Sequence, residues 1–566
     1  MAIIGIDLGT TNSACSVWQD GDSVLIPNKA GSYLTPSVVG VDDNKHLICG
    51  QAALDRLVSH PSMTIAAFKR WMGTDRTISL DRKVLSAVEL SSLILQSLKE
   101  DAEAFLDEEI TEAIISVPAY FNDLQRKATK MAAEIAGLKV ERLINEPTAA
   151  ALKYGLQNQE EGAQYLILDL GGGTFDVSLV EYFSGVIEVH ASAGDNYLGG
   201  EDFTKALIQR FCEDQKIETA TLKQADEAAL WGAMERAKRA LTSEQQVSVE
   251  AVIPSQTSVW TLSRDQFASL VEPLIQRMRL PIERAVLDAG LNPNDIDEVI
   301  LVGGATRMQP IRTLVTRMFK RLPLCNIDPD LVVALGAGIQ AGLKAKSCDL
   351  DDVVLTDVCP YTLGTAVQNQ NDTTGEQGGL FLPIIERNTT VPTSFERSVV
   401  TANDNQTTVK VEIYQGESRL IKNNILLGTI ELDVPPRPAG AVSIFIRYTY
   451  DMNGLLDVDV HVPMTNKRYS TQIMNLTTDL SPEVLAKSKE KMAKLKIHPR
   501  DVPENKELLQ RAENAYESLL GYDRDEVADL IERFEKALEA QRSLEIIRTR
   551  TNLTDRLNRL DDDRRL

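Results

Sequence analysis

The rhythm of hydrophobic positions changes near residue 350 of this 566-residue chain. Before that point, short apolar runs at 2–6, 113–117, 165–168 and 298–302 are each followed by a turn and a segment of helical spacing. Buried strands alternating with covering helices predict an α/β domain with a mixed or parallel sheet. The strip SCDLDDVVLTDV (347–358) carries acidic and apolar residues without helical periodicity and reads as a linker. From 361 to about 462 the period becomes two. Val409, Val411 and Ile413 alternate with Lys410 and Glu412, and Val442, Ile444 and Ile446 with Ser443 and Phe445. After the turn Asp451-Met452-Asn453-Gly454, Leu456, Val458 and Val460 alternate with Asp457 and Asp459, a hairpin signal in an antiparallel β domain. Ser481-Pro482-Glu483 has the cap and first-turn chemistry of a helix start. Helical spacing then holds at Leu508, Leu509, Ala512, Tyr516 and Leu519, stops at Gly521, and resumes at Val527, Leu530, Ile531, Phe534 and Leu538. These runs suit a small bundle better than a coiled coil. The expected division is 1–347, a linker at 348–358, then 359–475 and 476–566.

Composition narrows the class. A chain of this length exceeds one core and fits about three or four units. Hydrophobic residues form 43% and charged residues 25%, which excludes a disordered or fibrous chain. Asp and Glu outnumber Lys and Arg by 82 to 60, a net charge of −22, which argues against duplex DNA or an anionic membrane as the main partner. Six cysteines include no CxxC pair, and with five scattered histidines they form neither a zinc site nor a disulfide framework. No apolar run reaches the ~18–20 residues of a membrane span. The N-terminus lacks a basic start and a long apolar stretch, so a reducing cytoplasmic setting is expected.

One internal echo carries the chemistry. Ile4-Gly5-Ile6-Asp7-Leu8-Gly9-Thr10-Thr11 parallels Ile167-Leu168-Asp169-Leu170-Gly171-Gly172-Gly173-Thr174. In each, an apolar run ends in Asp and enters a Gly-rich turn carrying Thr. Glycine lets backbone N–H groups approach phosphate closely, Thr hydroxyls add donors, and Asp can hold a hydrated Mg²⁺. Two such turns facing one another would grip a polyphosphate from both sides. The chain has no GxxxxGK[ST] loop. Gly336-Ala337-Gly338-Ile339-Gln340-Ala341 fits a loose dinucleotide fingerprint, but a helix with small residues for close packing explains it better.

The motifs DLGTTNS (7–13), VPAYFND (117–123), INEPTAAAL (144–152), DLGGGTFDVS (169–178), GDNYLGGEDF (194–203), ERAKRALTS (235–243) and LVGGATRM (301–308) occur in that order. Together they resemble the seventy-kilodalton heat-shock chaperones, the DnaK family. RNTTVPT (387–393), TANDNQTTV (401–409), IYQGE (413–417) and DMNGLLDV (451–458) are similar to that family's substrate-binding domain. The length and altered C-terminal region look most like its HscC branch. The resemblance implies an actin-like two-lobed ATPase domain at 1–347 and an interdomain linker at 348–358. It further implies a β-sandwich peptide-binding domain at 359–475 and a shortened α-helical lid at 476–566. It implies an ATP-dependent chaperone for extended or unfolded segments, hydrolysing ATP to ADP and phosphate with Mg²⁺ and K⁺, and served by a J-domain partner. Asp7 and Asp169 would hold the hydrated metal, and Thr10, Thr11 and Thr174 would donate to phosphates beside Gly171, Gly172 and Gly173. Lys69 would orient the attacking water and stabilise developing charge, with Glu146 and Asp176 completing the water and cation shell. Gly199, Gly200 and Glu201 would approach from the opposite lobe. Glu235, Lys238, Arg239, Thr242, Gly304, Arg307 and Asp330 would frame the adenosine.

Pro118 and Arg126 match a family pair that passes nucleotide state to the linker, where Leu355 and Asp357 would couple the domains. The family's linker carries a run of leucines; here Val353-Val354-Leu355-Thr356 precedes Asp357, and Thr356 is a weak spot in apolar docking. A peptide groove needs backbone pairing for generality and an apolar pocket for choice. By the same resemblance Val409 is the central pocket residue, with Val399 and Ala402 beside it. An insertion follows Gly364, and Gln368 falls where an apolar residue bridges the peptide. The stretch after Ser243 is shorter than the loop that GrpE-type exchange factors read, and the helical end is short. Rapid exchange with little need of such a factor is therefore expected. The competing reading is an actin-fold small-molecule kinase or a polymerising ATPase. Nothing in 1–350 identifies an acceptor site for a kinase, and the β and helical regions have no use in that reading.

Overall fold

In the computed structural model, residues 2–43, 46–80, 83–155, 162–183, 185–219, 222–252, 257–345, 354–368, 379–472, 503–519, 521–540 and 543–563 are described. The chain forms two compact units, 1–360 and 361–566.

The first unit is built on two sheets of related topology. In the first half, β1 (Ile3–Asp7), β2 (Asn12–Gln19) and β3 (Asp22–Ile26) form an antiparallel meander. β4 (Glu112–Val117) adds to β1 in parallel, and β5 (Leu143–Asn145) adds to β4. In the second half, β6 (Ala163–Leu170), β7 (Phe175–Phe183) and β8 (Val186–Asp195) repeat the meander. β9 (Glu298–Val302) lies parallel to β6 as β4 lies parallel to β1. The sequence echo is therefore a repeated piece of architecture, each Gly-Thr turn joining the first two strands of a meander.

Helices cover these sheets and begin where capping residues stand. α1 (Ala87–Leu106) starts at Ser86 with Glu89 closing a capping box, and α2 (Asp123–Ile135) starts at Asn122 with Gln125. α3 (Glu146–Gly155) is buried along its length. α4 (Gly200–Gln215), α5 (Gln224–Ala240) and α6 (Arg264–Asp288) cover the second sheet, where Phe175, Phe203, Phe211 and Phe267 are buried in one core. α7 (Val332–Lys344) returns to the first half and packs on β1 and β2. A Cβ on Gly336 would lie 1.8 Å from the Ala149 carbonyl oxygen of α3, and one on Gly338 would lie 2.3 Å from the Ser16 and Ser23 hydroxyls. The small residues of this helix serve close packing, as the sequence suggested, and not dinucleotide recognition.

The linker region is described from residue 354. It forms β10 (Val354–Val358), parallel to β8 through Val354↔Val186, Leu355↔Ile187 and Thr356↔Glu188. Leu355 and Val358 enter the core shared by α3, β7 and β8. A short strand whose partners lie some 170 residues away leaves no local period to read, which is why the sequence showed only an unpatterned strip.

The second unit holds two antiparallel four-stranded sheets. One runs β12 (Leu380–Ile385), β11 (Leu363–Val367), β14 (Thr408–Gln415), β15 (Ile425–Asp433). The other runs β13 (Thr393–Val400), β16 (Ser443–Tyr450), β17 (Leu456–Val462), β18 (Lys467–Gln472). Val411, Ile413, Ile444, Ile446, Val458 and Val460 are buried, matching the period of two. The Tyr448 hydroxyl of β16 donates to the Gly364 carbonyl of β11 at 2.8 Å and ties the sheets together. The β16–β17 hairpin turns on Asp451, whose carboxylate accepts from the Asn453 and Leu455 N–H groups. Helices α8 (Pro503–Ser518), α9 (Tyr522–Ala540) and α10 (Ser543–Asp563) share a core of Ala512, Val527, Phe534, Leu538, Leu553 and Leu557. The expected helix start at Ser481 and the boundary at 475/476 lie outside the described residues.

Candidate functional site

The two Gly-Thr turns face each other in direct contact. A Cβ on Gly172 would sit 2.0 Å from Thr11 Oγ1, and one on Gly173 would sit 3.0 Å from Thr10 Cγ2. Larger residues at these glycines would clash, so the glycine backbone of one turn lies directly against the threonine side chains of the other. The third strand of the site arrives from the turn before α4. Gly200 and Glu201 N–H groups donate to the Gly171 and Gly172 carbonyls, each at 2.9 Å, and a Cβ on Gly199 would lie 2.4 Å from the Gly172 oxygen. Thr174 is buried, and its carbonyl accepts from the Gly171 N–H at 3.1 Å.

Carboxylates gather beside these turns. Asp7 ends β1 half-buried and accepts from the Ser116 hydroxyl at 2.8 Å. Asp169 stands opposite Asp176 in the β6–β7 register, both buried. Lys69 rises from a single turn at Phe68–Trp71 and donates to Glu146 Oε1 at 2.8 Å, with both side chains about nine-tenths buried or more. Its Nζ lies 5.5 Å from the centre of the Phe121 ring. Burial, reinforced by the Glu146 charge, raises Asp7 and Asp176 each to about 7. Lys69 opposes both shifts, as do the Ser116 hydroxyl at Asp7 and the Tyr120 N–H at Asp176. Asp169 is raised well above the ordinary range by burial first, then by Glu146, Asp176 and Asp7. Asp176 Oδ2 is buried without a hydrogen-bond partner among the described residues. Crowded, under-compensated carboxylates of this kind fit a cation. Among the described residues no three His, Cys, Asp or Glu side chains form a metal-binding group.

On the far side, Lys238 of α5 donates to the Gly200 carbonyl at 2.8 Å and to Thr204 at 2.9 Å, and pairs with Glu235 at 2.7 Å. Burial pushes the Lys238 ammonium down against the pull of Glu235. Burial also works on Glu235, but Lys238, Thr204 and Arg239 together hold it below the ordinary range. Arg239 donates to Glu235 at 2.9 Å. A Cβ on Gly200 would meet the Ala305 side chain at 3.2 Å, and one on Gly303 would lie 3.0 Å from Asp169 Oδ1. The 303–307 turn therefore joins the same cleft. There Arg307 pairs with Asp330 at 3.0 Å and Asp328 at 2.6 Å, and Gly304 leaves room for the Asp330 carboxylate. Thr242 stands apart. Half-buried just past the end of α5, it donates to the Arg239 carbonyl.

Arg70 escaped the sequence reading. It donates to the Gly173 carbonyl through Nε (3.2 Å) and Nη2 (3.0 Å), and pairs with Asp202 at 2.5 Å and Glu201 at 3.3 Å. One guanidinium thus ties the first half to the second phosphate turn and to α4. A basic residue beside Lys69 looks like a solvated charge, and only its acidic partners in space distinguish it.

A second network runs toward β10. Pro118 is buried at the end of β4, and Arg126 donates to the Ala119 carbonyl (3.0 Å), the Phe121 carbonyl (3.1 Å) and Asn145 Oδ1 (2.7 Å). Asn145 in turn donates to Asp357 at 2.6 Å, and Thr148 does so at 3.0 Å. Burial raises Asp357, opposed by its own hydrogen bonds and the Arg126 charge. Leu355 is 8% exposed and Val354 49%. The Thr356 hydroxyl is buried with no hydrogen-bond partner among the described residues. Asn145 and Thr148 carried no signal of this role in the sequence beyond their place in INEPTAAAL.

The groove candidates are less concentrated. Val399 on β13 and Val409 on β14 are half-buried and belong to different sheets, and Ala402 is exposed in the connection between those strands. Gln368 is exposed at the edge of the described residues, and the insertion at 369–378 lies outside them.

A cleft between two related α/β halves, lined by paired Gly-Thr turns and buried carboxylates, followed by a β module and a helical bundle, defines a nucleotide-cleft protein with an appended binding module. Comparison with protein families bears this out over almost the whole length: the family described as Hsp70 protein matches residues 3–563. The chain belongs to the Hsp70 family. Its members are ATP-dependent chaperones and ATPases that bind nucleotide with Mg²⁺, unfolded polypeptides and J-domain co-chaperones. A small-molecule kinase or filament-forming ATPase is not favoured. Among the described residues no helix is long and apolar enough to cross a membrane.

Proposed function

We propose that this chain is a chaperone of the HscC branch, working in the cytoplasm, in which ATP binding and hydrolysis at the cleft of 1–347 control the grip of 359–475 on extended peptide. The observation that carries this reading is the direct apposition of the two Gly-Thr turns above the Lys69–Glu146 pair and the Asp7, Asp169 and Asp176 carboxylates. Asp7 and Asp169 would hold Mg²⁺ through water, with K⁺ nearby. The metal, when bound, neutralises charge on the β- and γ-phosphates. Thr10, Thr11 and Thr174 donate to phosphate oxygens, as do the N–H groups of the glycine turns not already paired. Glu146 fixes the Lys69 ammonium so that it can orient the attacking water and meet the charge developing on the γ-phosphate. Asp176 lends its unpaired oxygen to the same water shell. Glu235, Lys238, Arg239, Thr242, Gly304, Arg307 and Asp330 frame the nucleoside. Pro118 and Arg126 relay the state of the cleft through Asn145 to Asp357 and Leu355. Val399, Ala402 and Val409 contribute to the peptide groove, and 476–566 act as its lid.

Turnover in the presence of candidate ligands tests the reading. An unfolded apolar peptide, added with a J-domain protein, should accelerate ATP hydrolysis, while sugars and small carboxylates should not. Acceleration by a small-molecule acceptor with transfer of the phosphoryl group would point to a kinase instead.

A further inference from the structure

The loop at 118–121 belongs to the first half, yet both backbone polar groups of Tyr120 are held by the second. The Tyr120 N–H donates to Asp176 Oδ1 at 3.0 Å, and the Tyr120 carbonyl accepts from Asn196 Nδ2 at 2.9 Å. The neighbouring carbonyls of Ala119 and Phe121 are held by Arg126. With the Phe121 N–H donating to the Pro118 carbonyl at 3.1 Å, all four carbonyls of this loop are engaged, and Asn196 supplies the link that crosses the cleft from the turn before α4.

That turn is well anchored. Asp195 makes a two-pronged pair with Arg277 of α6, Nε to Oδ2 at 2.6 Å and Nη2 to Oδ1 at 2.8 Å. Arg277 also donates to the Tyr197 carbonyl at 3.3 Å, and the Tyr197 N–H donates to Asp195 Oδ1 at 2.9 Å. Leu198 is fully buried, and the next residue, Gly199, lies against Gly172 of the phosphate turn. A donor mounted this rigidly can set the place of the loop it holds. On the loop side, Phe121 carries the ring beneath Lys69, so a shift of Tyr120 moves the support of Lys69 and the partner of Asp176 together.

We infer that Asn196 is a positioning residue for ATP hydrolysis: by fastening the Tyr120 carbonyl to the second half, it keeps Asp176 Oδ1 on the Tyr120 N–H and Lys69 above Phe121 as the cleft closes. The inference rests on the proposed roles of Asp176 and Lys69. It assigns nothing to Asn196 in binding nucleotide, so its signature is a split between rate and affinity.

Single-turnover hydrolysis, nucleotide titration and amide exchange on the full chain test it, using Asn196→Leu, which keeps the volume but removes the donor, and Asn196→Thr, which keeps a shorter donor. Asn196→Leu should slow the hydrolytic step roughly tenfold, leave ATP and ADP dissociation constants within about threefold, and speed exchange at the Tyr120 amide. Asn196→Thr should recover part of the rate. A wild-type rate in Asn196→Leu, or a parallel loss of rate, affinity and melting temperature, overturns the inference. Asp176→Asn separates it from the reading beneath: if that variant hydrolyses normally, the role of Asp176 falls. If Asp176→Asn is impaired while Asn196→Leu is not, the positioning role alone is lost.

Discussion

At the scale of single residues, the cleft concentrates charge that the folded chain does not fully compensate. Lys69 and Glu146 form a buried pair, yet the Glu146 charge still raises Asp7, Asp169 and Asp176, and Asp169 is raised further by its two neighbours. Because Lys69 is assigned to the transition state, Lys69→Ala should lower hydrolysis by about a hundredfold or more while ADP binding changes little. Single-turnover kinetics with an ADP titration measure both. The carboxylates also set a pH response. Their folded-state pKa values are raised, so between the ordinary aspartate value of 3.8 and about 7 the folded chain holds more protons than the unfolded one. Stability of the nucleotide-free, metal-free protein should therefore fall as pH rises through that window. Melting curves across it check the sign, and Asp7→Asn should flatten the slope. Lys69, Glu146 and the aspartates were legible because ordered motifs surround them. Arg70, Ser116 and Asn196 were not, since each acquires meaning only from a partner that the fold brings from 76 to 109 positions away along the chain.

At the scale of elements, β10 is a short strand of the first unit. Three residue pairs hold it to β8, one side chain of the three is largely exposed, and another buries a hydroxyl with no hydrogen-bond partner among the described residues. An unsatisfied buried hydroxyl costs about 1–3 kcal/mol. Thr356→Val keeps the shape and removes that cost, so amide exchange at 355–357 in the full chain should slow by about tenfold. Leu355→Asp should act in the opposite sense, releasing the strand. Exchange unchanged by both substitutions would mean that β10 is a passive tether. Strands of the β module were visible in the sequence because each alternates against its own sheet and buries one face. The Gly-rich helix α7 was recognisable because its small residues follow helical spacing. β10 was read as linker because its pairing depends on a distant strand and spans too few residues to impose a period.

For the molecule as a whole, the repeated meander was foreshadowed by the echo of the two Gly-Thr turns, while the division into units followed from the change in period near 350. The expectation of little need for an exchange factor, read from the stretch after Ser243, belongs to this scale. In the hairpin at Gln246–Val252 and Thr257–Ser263, Val252 pairs with Thr257, leaving four residues between them where an exchange factor could take hold. Release of labelled ADP should accordingly be fast and little changed by a GrpE-type protein, as stopped-flow fluorescence can establish; slow release strongly accelerated by that protein would reverse this view. The crossing of α3 and α7 carries one more consequence. These helices meet backbone to backbone, Gly336 against Ala149, at the place where the chain passes from the first half to the second and later returns. The two halves share this crossing and also meet at the Arg70 and Asn196 contacts across the cleft, so they keep few ways to move apart. The stiff one is sliding, which would part close-packed backbone, and the soft one is rotation about the crossing. Packing at this crossing therefore favours rotation over sliding as the motion that would open and close the cleft.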